Sequence, residues 1–501
     1  MTAPRRWLAP TLGLIVLGLA VAAEARPGGG QSYSGGSSSH SSGGSSYSGG
    51  SRSSGSSWSS SSSSSGGGGG GGSLIGLLLA VVIGIPLKLA EQMKSNDNNF
   101  DSSYAPPPQP PPPRPSPQAL FDAIRERDPE FSAVLFEDFV FALYARVHAA
   151  RGDAAAMAAL APYVSEGSRA ALLHREPAGA KIHGVVVGRM QVERVRLDDR
   201  IAVDLRFESN LTADLPHGPQ GFYIQETWTL ERGAQVRSKP PEAVQNFQCP
   251  ACGAPYQRTD QGACGHCGQQ VEDGRFDWTV TFVRQQGIEP RPPALTGDVQ
   301  EVGTGYPTVF SRDIVQQHAH LVREDPGASA PHIERRLHDI YGVLNDAWTA
   351  RDLRPIRPHV SDALYNYLAY WIDAYRNQGL TNVLKDMEIS RMQIVKLVRD
   401  KHFDAVTVRF WAAGLDYTTD LQGRRVSGSS TSKRAYSEYW TLIRGARVRG
   451  APRDPATCPG CGAALDRVSM AGNCEYCGSH LTRGEFDWVL SKIEQDESYT
   501  G

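Results

Sequence analysis

The chain of 501 residues has almost no net charge: 51 lysines and arginines face 53 aspartates and glutamates, leaving −2. The isoelectric point falls near 6.7. A protein that binds nucleic-acid backbones over its whole surface needs a strong positive balance, so a general attraction to phosphate is excluded. Catalytic signatures are missing as well. There is no nucleophile elbow, no phosphate-binding glycine loop and no His-Glu-x-x-His. Cysteine is scarce, and none of the eight stands outside two matching clusters.

The first cluster reads C-P-A-C-G and C-G-H-C-G, with Cys249, Cys252, Cys264 and Cys267. The second reads C-P-G-C-G and C-E-Y-C-G, with Cys458, Cys461, Cys474 and Cys477. A C-x-x-C pair forms a knuckle that turns both sulfurs toward one point, and a second knuckle completes the tetrahedron that zinc prefers. The glycine after each second cysteine (Gly253, Gly268, Gly462, Gly478) suits a turn with unusual dihedrals. A redox C-x-x-C is expected singly, at a helix N-terminus. Four disulfides need an oxidising compartment. Catalytic zinc keeps a position open for water, whereas four thiolates close it. Two structural zinc ions per chain are therefore expected, with His266 as a surface residue between ligands.

The clusters belong to a longer duplication. Glu226-Thr-Trp228-Thr-Leu230-Glu-Arg232-Gly233 precedes the first, and Glu438-Tyr-Trp440-Thr-Leu442-Ile-Arg444-Gly445 the second. Gly274-Arg-Phe276-Asp277-Trp278 follows the first, and Gly484-Glu-Phe486-Asp487-Trp488 the second. Upstream, Phe131, Val134, Leu135, Phe139, Leu143 and Val147 recur at helical spacing, as do Ile333, Leu337, Ile340, Tyr341, Leu344 and Trp348. Second helices are expected at 154–173 and 361–376. Strands are expected at 182–187, 191–196 and 201–207, and at 387–397 and 405–411 in the second copy. Helices followed by antiparallel strands predict an α+β fold, and each copy of roughly 165 residues is long enough for its own core. Trp228, Trp278, Trp440 and Trp488 read as core residues. Asp277 and Asp487 are expected on the opposite face of their strands, and His318 and His320 in linker.

The first quarter reads as an anchor. Arg5 and Arg6, an apolar run and Ala23-Glu24-Ala25 predict a signal peptide at 1–25. Residues 26–73 are Gly/Ser-rich and expected to be disordered. Residues 74–90 are apolar save Lys88, about 25 Å long as a helix, and predict a transmembrane span. A Pro-rich linker at 91–118 follows. Signal plus stop-transfer places everything after Ala90 in the cytoplasm, in accord with the positive-inside rule and with reduced thiols.

Residues from the first helix to the Gly-x-Phe-Asp-Trp strand, ribbon included, resemble bacterial relatives of mitochondrial inner-membrane translocase subunit 44, known as zinc-ribbon transport proteins. The resemblance covers both copies. It implies tandem cone-shaped domains of the nuclear-transport-factor-2 and cystatin-like type, at 119–285 (ribbon 247–274) and 331–494 (ribbon 456–484), joined by a linker at 286–330. It also implies a concave apolar pocket and contact with membrane. The mitochondrial protein's chaperone-recruiting part has no counterpart here. These features together predict a non-enzymatic adaptor anchored in a bacterial inner membrane with its domains cytoplasmic, in protein transport or envelope organisation. Its partners would be the lipid bilayer and a protein. The alternatives are an enzyme or ligand-binding protein using the cone pocket, and a nucleic-acid-binding ribbon protein whose basic patch would be Arg444, Arg447, Arg449 and Arg453.

Overall fold

The computed structural model describes residues 116–243, 247–291, 295, 303–454, 456–469 and 472–501. The expected signal peptide, Gly/Ser stretch and span all lie outside these residues, as does most of the expected Pro-rich linker. Among the described residues no helix is long and apolar enough to cross a membrane.

Repeat 1 comprises α1 (Pro117–Arg127), α2 (Ala133–Ala149), α3 (Ala154–Ala159) and α4 (Glu166–Leu173), then strands β1 (Lys181–Leu197), β2 (Arg200–Leu215), β3 (Gly218–Gly233) and β4 (Thr279–Pro290). Repeat 2 comprises α5 (Ile314–Glu324), α6 (Ala330–Ala350) and α7 (Asp362–Asn377), then β5 (Thr381–Arg399), β6 (Phe403–Thr419), β7 (Arg425–Gly445) and β8 (Val489–Gln495). Each sheet is a four-stranded antiparallel meander in sequence order. Alternation decides which side packs: Val203, Leu205 and Phe207 face the helices in repeat 1, and Val406, Val408 and Phe410 in repeat 2. Trp228, Trp278, Trp440 and Trp488 are all buried, as expected.

The first strand of each sheet is longer than the sequence suggests. In β1 the register against β2 slips at His183/Val186, Val187/Arg189 and Val192/Arg194. In β5 it slips at Lys385/Glu388, Ile389/Arg391 and Ile394/Lys396, the matching places. Each bulge inserts a residue, breaks the alternation and bends the strand around the helices. Repeat 1 therefore reads as two short strands where one curved strand exists.

The expected linker at 286–330 needs correction. Strand β4 runs to Pro290, and α5 occupies 314–324, where Ile314 and Leu321 enter the core of repeat 2. Helix α5 is the counterpart of α1. His318 stands where α1 has buried Phe121. His318 bonds the carbonyl of Ala328 at 2.9 Å, and His320 pairs with Glu324. Between strand and helix, the chain crosses the outer face of the second sheet. Arg409 donates to the carbonyls of Gly303 and Tyr306 and pairs with Asp496, while Val309 N–H donates to Tyr439 Oη.

The two repeats pack head to tail. Leu135 of α2 joins Phe403, Ala405, Ile443 and Val489 on the outer face of the second sheet. Ion pairs flank this contact, Glu130 with Lys401 and Glu137 with Lys492. Repeat 1 carries Arg200, Ala202, Glu231 and Thr279 at the matching positions, a mostly polar set.

Candidate metal centres

Each ribbon is an insertion between the third and fourth strands of its sheet, as the sequence predicts. Its neck is closed by a glycine. Gly274 and Gly484 have φ of 73° and 76°, and their carbonyls accept from the amides of Gly233 and Gly445 at the end of the preceding strand. A Cβ at Gly274 would sit 2.9 Å from the Glu231 carbonyl, and one at Gly484 would sit 2.9 Å from Arg444 Cα. No side chain fits either place. The neighbouring aspartates hold the same neck. Asp277 and Asp487 precede their strands and accept from the amides of Trp278 and Trp488, correcting the expectation of a strand-face position. Each also grips the incoming segment, Asp277 through Lys239 and Asp487 through the amide of Arg453.

Within the ribbons the four knuckles are alike. The amides of Gly253, Gly268, Gly462 and Gly478 donate to the carbonyls of Cys249, Cys264, Cys458 and Cys474, each at 2.8 Å. Their φ values of 70° to 74° are left-handed. The first cysteine of every knuckle is buried, and all eight are free of disulfides. In each group of four, the sulfurs all lie within 4.8 Å of one another. Cys249 and Cys267 are 3.9 Å apart, and Cys458 and Cys477 are 3.8 Å apart. Four sulfurs about 2.3 Å from one ion stand about 3.8 Å apart at the corners of a tetrahedron, so the donor set fits zinc in size, number and softness. His266 is exposed, as expected. Without an ion, burial pushes the Cys249 thiol up to about 12, while the Ser479 hydroxyl and amide pull Cys477 down to about 6.

Ribbon 2 clusters Cys458, Cys474 and Leu481, with Leu465, Val468 and Phe486 partly buried beside them. A metal held by the four sulfurs would brace so small an apolar set.

The domain interiors were expected to hold apolar pockets, but among the described residues they are packed, and polar groups take part. In repeat 1, Glu226 is fully buried, with its carboxylate bonded to His148 Nε2 at 3.0 Å, Trp228 Nε1 at 3.0 Å and the Arg175 guanidinium. Arg151 lies beside His148, and Tyr144 bonds Ser209 at 2.7 Å. Burial alone would raise the Glu226 carboxyl, yet His148, Arg175 and the indole N–H hold it near 2. Burial also lowers His148, against the pull of Glu226. The counterpart glutamate in repeat 2, Glu438, accepts from Trp440 Nε1 at 2.8 Å and Gln495 Nε2 at 3.0 Å. There Tyr341 bonds Tyr436, and Asn345 replaces His148. A histidine, a tyrosine and a glutamate do converge in the interior of repeat 1, the arrangement an enzyme would require. All three side chains are sealed from solvent and bonded to one another or to neighbours. A general acid or base must reach its substrate, and these reach only protein.

A second buried strut is duplicated outright. Asp128 pairs with Arg232 at 2.6 Å and accepts from Ser238, and Asp325 pairs with Arg444 and accepts from the amide of Gly450. Each arginine also lies over the tryptophan that ends its ribbon, Arg232 over Trp278 at 4.5 Å and Arg444 over Trp488 at 4.3 Å. Arg444 is thus a core residue, which removes it from the expected basic patch. Of the others, Arg449 donates to the carbonyls of Ala446 and Val448, and Arg453 to that of Pro459.

Comparison with known families places repeat 2. Residues 316–454 match the Tim44-like domain. The matched stretch begins in α5, inside the expected linker, and ends at the mouth of the second ribbon. It supports a binding or adaptor role for the repeat. No curated protein matches the chain.

Proposed function

We propose that this chain is a non-enzymatic adaptor, anchored in a bacterial inner membrane by residues 74–90, that presents two Tim44-like domains on the cytoplasmic side. The observation that carries the reading is the Tim44-like match on a repeat whose four cysteine sulfurs lie within 4.8 Å of one another. Repeat 1 shares the element order, ribbon, neck and Asp–Arg strut of repeat 2, and we read it as the same domain. Zinc, where bound, braces the ribbon and leaves no position for water. The contacts between the repeats suit a double unit that holds a partner near a bilayer. A role in protein transport or envelope organisation fits this architecture.

The test is crosslinking in intact membranes followed by purification of the full chain. A reproducible protein partner and flotation with anionic vesicles are expected. Recovery in the soluble fraction with no partner overturns the proposal. The enzyme reading draws support from the convergence of His148, Tyr144 and Glu226, but lacks a path to them.

A further inference from the structure

The chain leading into α5 is bound to the sheet of its own repeat. Arg409 on β6 donates to the carbonyls of Gly303 and Tyr306, and the Ser311 amide donates to the Val395 carbonyl on β5 at 2.9 Å. Val309 N–H reaches Tyr439 Oη on β7 at 3.1 Å. The first sheet keeps most of this equipment. Gln191 stands opposite Arg206 in β1 and β2, as Gln393 stands opposite Arg409 in β5 and β6. Two residues beyond each glutamine comes a bulged residue, Glu193 in β1 and Val395 in β5. The guanidinium and the bulge carbonyl are therefore duplicated. Arg409 is buried beneath its segment, whereas Arg206 is exposed and pairs with Glu193 at 2.6 Å. Phe282, 51% exposed, stands on the same face, in the row of Asp204 and Thr229.

The residues ahead of α1 have the matching place in the chain. Helices α1 and α5 align on buried Ile124 and Leu321, and on Asp128 and Asp325 of the two struts. The same spacing sets Pro106, Gln109 and Arg114 where Gly303, Tyr306 and Ser311 stand, within the run A-P-P-P-Q-P-P-P-P-R-P at 105–115, which lies outside the described residues. A proline-rich segment forms no internal hydrogen bonds, so its carbonyls remain available to a guanidinium. Arg114 keeps the amide that Ser311 uses. The bond from Val309 to Tyr439 is lost on both sides at once: Pro112 has no N–H, and Thr227 replaces the tyrosine. Exposed aromatic rings are what prolines pack against. We propose that the outer face of the first sheet is a docking surface for this chain's own residues 106–115, held through their carbonyls by Arg206 and flanked by Phe282. This inference does not depend on the adaptor reading.

The experiment places p-benzoylphenylalanine at position 286 of the full chain, irradiates it and maps the adducts by mass spectrometry. Gln286 is exposed, and its counterpart Asp496 lies beside Gly303. Adducts on residues 106–115 of the same chain are expected. Arg206→Ala removes the donor, weakens docking about tenfold and should lower the yield by about half or more. Replacing 106–113 by glycine and serine of equal length leaves the folded repeats intact and should lower it too, because a flexible segment loses more entropy on docking. Adducts with a second copy or another polypeptide, no adducts, or a yield that either variant leaves unchanged overturns the proposal.

Discussion

Replacing Asp325 by asparagine tests the buried strut. The side chains of Arg444 and Asp325 are 1% and 2% exposed. The carboxylate accepts from Arg444, from the Gly450 amide and from the Gly327 amide, so one residue ties the start of α6, the end of β7 and the ribbon neck. Asparagine keeps the size and one acceptor oxygen but removes the charge, leaving a guanidinium buried over Trp488 with no counter-ion. Breaking one side of a buried pair costs about 3–5 kcal/mol. Removing both charges with Asp325→Leu and Arg444→Met should recover much of that loss. Urea unfolding of the full chain, followed by tryptophan fluorescence, reads the midpoint of repeat 2. The exposed pair Asp352–Arg354 is the control, and Arg354→Gln should leave the midpoint unchanged. If Asp325→Asn costs less than about 1 kcal/mol, or the double variant is worse than the single, the strut is not what holds the neck.

Other outcomes follow from the same geometry. Cys458→Ser should halve the metal content and expose the second ribbon to protease while the helical circular dichroism stays intact; loss of all helicity would make the ribbon part of the core. Acid should weaken repeat 1 first. Glu226 is held below its unfolded value of 4.5, near 2, so its contribution is full above 4.5 and disappears as pH falls toward 2. That amounts to roughly 3 kcal/mol, and His148, whose folded value burial lowers, adds to the loss in the same direction. Glu226→Gln should flatten the difference between urea midpoints at pH 6 and pH 3, and an unchanged slope would refute the assignment. Arg409→Leu should release the strap at 303–311, seen as faster amide exchange at Val309 and Ser311, because it removes the donor to the Gly303 and Tyr306 carbonyls. Unaltered exchange would mean that the strap is held elsewhere.

How much of this could be read from residues alone depends on the range of the forces involved. The ribbons were legible because C-x-x-C spacing and the glycine turn are set within five residues by local geometry. The helices α2, α6 and α7 showed through their apolar period. The bulged strands did not, since each inserted residue reverses the alternation that marks a strand. Arg444, expected under the nucleic-acid alternative to join a basic patch, carries the clue to its burial in its own strand. Glu438, Trp440, Leu442 and Arg444 alternate onto one face, as do Glu226, Trp228, Leu230 and Arg232, and that face is the core. A charge on the core face of a strand in both copies signals a buried partner, but its identity, Asp325 or Asp128, lies more than a hundred residues away. The His148 cluster is similar: it gathers residues from a helix, a loop and a strand that only folding brings together.

The most direct test of the account is elemental analysis of the purified full chain together with thiol titration. Two zinc ions per chain are expected, with all eight cysteines titrating as free thiols once the metal is removed under denaturing conditions. A metal-free chain whose cysteines are joined as disulfides would contradict it.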